Sequence, residues 1–179
     1  HIPEYEMLRS LVGSEMCIRD RSTAGGVPLA LNNLVNVVAV TDATLAPTVA
    51  QSGSIFSITA AAGCVVTLPA ASAGLNYSFH LAATVTSNTF TINAASSADV
   101  LQGQIISVDK DEPGSVTATN AGATIAVDTP AADDHQFVAD GDTKGRFLGT
   151  KIDYVCITDA LWYVSGFNSF NGSVATAFT

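Results

Sequence analysis

The stretch that most constrains the fold is residues 63–81, which read as strand, turn, strand. Val65, Val66, Thr67 and Leu68 form a short β-branched run that Pro69 ends, because proline offers no ladder donor. Gly74 supplies a flexible turn residue. The return run then alternates, with Tyr77, Phe79 and Leu81 on one face and Asn76, Ser78 and His80 on the other. That period of two marks a half-buried strand and predicts that the two runs pair as a hairpin.

The same pattern recurs along the chain. Ile55, Ser57 and Thr59 oppose Phe56 and Ile58, and Phe90 and Ile92 point inward between outward threonines. Residues 99–108 carry Val100, Leu101, Ile105, Ile106 and Val108, with Gly103 as the expected site of a bulge. Asn120-Ala121-Gly122 predicts a hairpin turn. Asp140-Gly141-Asp142-Thr143-Lys144-Gly145 is the strongest turn, followed by a long strand with Ile152, Tyr154 and Cys156 on one side and then Leu161-Trp162-Tyr163-Val164-Ser165. Charged residues make up only 13% of the 179, about half the usual share, and small and β-branched residues fill the deficit. The expectation is an all-β fold: a single antiparallel β-sandwich or barrel, jelly-roll-like, of about ten short strands. Residues 42–179 form that domain and residues 22–41 an N-terminal arm with the first strand. Residues 1–21, rich in Glu, Met and Arg, stand apart as a prefix.

Several chemistries fail on the residues they need. The net charge of −9 leaves no basic footprint for nucleic acid, and an anionic surface is repelled by anionic lipid. No apolar segment is long enough for a membrane helix. Cys17, Cys64 and Cys156 are an odd number at wide spacing, and Cys64 and Cys156 read as inert buried thiols. The loop from Asp140 begins like a calcium loop, yet Lys144 stands at its fifth position and Lys151 at its twelfth, where oxygen ligands belong. Asp133-Asp134-His135 has no second histidine at metal spacing, and Asp109, Asp111 and Glu112 read as a charged turn. There is no G-x-S-x-G elbow or phosphate-cradling glycine loop. His80 and His135 read as surface imidazoles and Trp162 as core. Asn76-Tyr77-Ser78 and Asn171-Gly172-Ser173 match a glycosylation pattern that arises often by chance. The reading is a protein without catalytic site, cofactor or metal.

Two resemblances add to this. Glu15-Met16-Cys17-Ile18-Arg19-Asp20-Arg21 resembles the translation of a transposase end sequence used in sequencing-library adapters, which implies that residues 1–21 are non-native. The segments Gln51-Ser52-Gly53-Ser54, Val65-Val66-Thr67-Leu68-Pro69-Ala70, Gly74-Leu75-Asn76-Tyr77-Ser78-Phe79 and Leu161-Trp162-Tyr163-Val164-Ser165-Gly166 together resemble the capsid decoration (cement) proteins of tailed bacteriophages. That resemblance, running from about Asp42 to the end, implies a virion protein on the outer capsid surface. It further implies a homo-oligomer, often a trimer, that bridges subunits of the major capsid protein. Phe167, Phe170 and Phe178, near the end of the chain, are the expected interface residues, and residues 22–34 and 173–179 are rival contact segments. A fibre or receptor-binding module and a carbohydrate-binding surface sandwich are the alternatives.

Overall fold

The structure is a computed structural model, and it describes residues 35–109, 125–171 and 175–179. Asn36–Thr179 forms one compact unit. The prefix, residues 22–34, Asp111, Glu112, the Asn120-Ala121-Gly122 turn and residues 172–174 lie outside the described residues.

The fold is nearly all β, with strands over 49% and no α-helix among the described residues. In chain order the strands are β1 (Val37–Val40), β2 (Thr44–Leu45), β3 (Ile55–Ile58), β4 (Cys64–Thr67), β5 (Asn76–Leu81), β6 (Phe90–Asn93), β7 (Val100–Asp109), β8 (Ile125–Asp128), β9 (Gln136–Ala139), β10 (Lys151–Thr158) and β11 (Leu161–Phe170). They make a seven-stranded sheet in the order β1-β3-β5-β10-β11-β7-β8 and a four-stranded sheet in the order β2-β4-β6-β9.

Connectivity corrects the antiparallel expectation. From β1 to β6 the chain alternates between the sheets, so β1, β3 and β5 lie parallel in one while β2, β4 and β6 lie parallel in the other. The chain coils through two layers, each crossover of one sheet being a strand of the other. The expected hairpin of residues 63–81 is therefore an arch: β4 belongs to the small sheet and β5 to the large one. Farther on, β10 and β11 form an antiparallel hairpin between β5 and β7, and β11 runs parallel to β7.

Face assignments within strands hold. Val66, Leu68, Tyr77, Phe79, Leu81, Ile152, Tyr154 and Cys156 are all buried, and the inner sides of both sheets share one hydrophobic cluster. Thr91, expected outside, is buried and bonded to Thr89 through hydroxyls 3.1 Å apart. A chain of rings ties the large sheet together across four strands: Phe56 on Phe79 at 5.5 Å, Phe79 on Tyr154 at 6.0 Å, and Trp162 against both Tyr154 (6.4 Å) and Tyr77 (6.0 Å). Each such pair adds about 0.5–1.5 kcal/mol beyond burial itself. Gly103 makes no bulge, because β7 and β11 stay in register from Val100 to Asp109.

The C-terminal segment joins the two sheets at one side. Ala177 donates its amide to the Asp128 carboxylate of β8 at 2.8 Å, and its carbonyl accepts from Val138 of β9 at 2.7 Å. Phe178 packs edge-on against Phe137, with ring centroids 5.7 Å apart.

Candidate contact surface

The residues singled out by sequence scatter. Phe167 lies on the outer face of the large sheet, whereas Phe170 and Phe178 are buried within the chain and present no contact surface. Trp162 is core. His80 sits half-buried on the outer face of β5, and His135 lies in the turn before β9, its Nδ1 3.3 Å from the Asp133 carbonyl. Asp134 accepts the Ala131 amide at 2.7 Å, so its carboxylate closes a turn. In the Asp140–Gly145 loop, Lys144 pairs with Asp140 at 3.4 Å and Arg146 with Asp142 at 2.6 Å. The acids that resembled calcium ligands are thus held by cations. No group of three or more His, Cys, Asp or Glu stands close enough to hold a metal among the described residues.

Cys64 and Cys156 are free and buried. Burial, with Asp42 adding to it, pushes the Cys64 thiol up to about 11. Burial raises Cys156 as well, so neither is poised as a thiolate nucleophile.

What the strands do bring together is an apolar surface. Side chains alternate, so the outer face of the large sheet collects every second residue of each strand. Lys151, Phe167, Ile106 and Val127 fall in one row across β10, β11, β7 and β8. Two residues along β11, Asp153, Ser165 and Gln104 make a polar row, and beyond it Val155, Tyr163 and Gln102 make a third. Phe167 is 41% exposed, Ile106 50%, Val127 59%, Val155 40% and Tyr163 47%. Two apolar bands thus flank a polar one.

This face is also electrically neutral. Lys151 and Asp153 are its only Lys, Arg, Asp or Glu among the described residues, and they pair at 2.7 Å. Ser78 also hydrogen-bonds Asp153. The other described carboxylates sit in turns, at strand ends or on inward register positions. Sequence reasoning missed Val155, Tyr163, Ile106 and Val127 as surface. The sign was present: Tyr154-Val155-Cys156-Ile157 and Leu161-Trp162-Tyr163-Val164 are continuous apolar runs, which a strand with one watered face does not need.

Compared with protein-family models, curated proteins and solved structures, the chain matches nothing in any of the three.

Proposed function

We propose that this chain is a structural virion protein that works by surface contact: a homo-oligomer on the outer face of a phage capsid, bridging subunits of the major capsid protein, with no catalytic step. The observation that carries the contact reading is the neutral outer face of the large sheet, with Tyr163 and Phe167 exposed on a chain whose net charge is −9. Exposed apolar bands with aromatic anchors on either side of a polar row have the makeup of a protein interface. A chain of packed rings backs the face, which limits the ordering cost that opposes docking. The capsid assignment rests on the resemblance of residues 51–54, in the turn leading into β3, of 65–70 and 74–79, in the arch, and of 161–166, in β11.

Electron microscopy of intact particles of the encoding virus, labelled with an antibody to this chain, tests the reading. Labels spread over the head support it. Labels confined to a tail tip favour a fibre module, and unlabelled particles refute a virion role.

A further inference from the structure

We infer that the outer face of the large sheet takes a second copy of this chain, related by a two-fold axis running along β11. The inference rests on reading that face as a contact surface and names its partner. Three features of the face point to self-pairing.

The first is its order. An isologous contact demands that a surface complement itself. Here the Tyr163 row, the Ser165 row and the Phe167 row run apolar, polar, apolar. Turned over about β11, the face lays Phe167 on Phe167, Tyr163 on Tyr163, and β10 over β7. Asp153 then meets Gln104, which can donate to it. An axis across the strands would set Asp153 against Asp153, and like charges in contact are costly.

The second is charge. A second copy is as acidic as the first, so approach through turns that carry carboxylates is repelled. The outer face, where Lys151 cancels Asp153, lets two such chains meet without burying an unpaired carboxylate.

The third is size. An axis along β11 lays β10 over β7 and β5 over β8. With strands about 4.8 Å apart, rising about 3.3 Å per residue, β5, β10, β11, β7 and β8, of six, eight, ten, ten and four residues, make up the patch. Its projected area of about 600 Å², enlarged by upright Tyr163 and Phe167, is near the roughly 800 Å² per partner of a standard interface.

The test is sedimentation velocity across a concentration series, with the full chain, beside cysteine cross-linking. The expected result is a species of twice 18.4 kDa. F167D is expected to weaken it about a hundredfold or more, because each dimer gains two buried charges at its centre. V49D, which adds the same charge at an exposed site in the short turn after β2, is expected to leave it intact. In a Cys17→Ser background, Ser165→Cys is expected to cross-link to its mate through a short bismaleimide. Ser57→Cys, on β3 and three strands away, is expected not to. The cross-linking arm does not depend on F167D folding well. A monomer throughout, a trimer indifferent to F167D, or equal cross-linking at Ser57 and Ser165 would overturn the inference. A monomer that still decorates heads would leave the contact reading standing and sink only this one.

Discussion

Replacing Gly103 with alanine tests whether β7 and β11 meet as closely as the fold requires. Gly103 holds φ at +132°, and a Cβ built there would lie 1.9 Å from the Val164 carbonyl oxygen and 2.9 Å from that residue's nitrogen. The obstacle is backbone in the middle of the sheet, so it cannot swing aside as a side chain would. Forcing an L-residue into a conformation reserved for glycine costs about 1–3 kcal/mol. Relieving the overlap by moving β7 adds about 1–3 kcal/mol, as for other overpacked sites. Gly74 separates the two contributions, because its φ is +95° and nothing lies within 4 Å of an added Cβ. Urea unfolding followed by fluorescence of Trp162, the single tryptophan, reads both variants. With a slope of about 2 kcal/mol per M, G103A should unfold about 0.5–1.5 M earlier than G74A. Equal midpoints would refute the close approach. Because Gln102 and Gln104 flank Gly103 on the outer face, G103A should also loosen the pairing of chains, while G74A should not.

Two further outcomes follow from buried polar groups. The Tyr154 hydroxyl is fully buried with no hydrogen-bond partner among the described residues, and burial holds its ionisation far above the usual phenol range. Tyr154→Phe should therefore leave the thermal midpoint unchanged or raise stability by about 1 kcal/mol, and a clear loss would reveal a partner for that oxygen. Burial raises the Asp128 carboxyl most, with Asp134 adding to the rise, against the lowering effect of the Ala177 and Thr129 amides and Lys144. The folded chain then keeps this proton longer than the unfolded one. The contribution of Asp128 to stability is present in full below the unfolded carboxylate range, and it falls as pH climbs through the folded value. Asp128→Asn, which keeps an acceptor for Ala177, should flatten that decline in denaturant titrations from pH 3 to 7 (about the carboxylate range and above). An unchanged slope would remove Asp128 as its source.

The alternation of Tyr77, Phe79 and Leu81 with Asn76, Ser78 and His80 determined that β5 has an inner and an outer side, and the same held for β3, β4 and β10. Which strands exist, and which of their side chains meet water, follow from local period and burial cost, so they are legible one segment at a time. Tertiary structure alone decided the partners. A proline-ended strand, a glycine turn and an alternating strand suit a hairpin and a two-layer arch equally well, since both satisfy the same local dihedrals. The choice rests on hydrogen bonds made to strands distant in sequence, such as β10 against β5 and β7 beside β11. The contact face belongs to that second class. Phe167, Ile106 and Val127 lie far apart along the chain, and only the register of three strands sets them in one row.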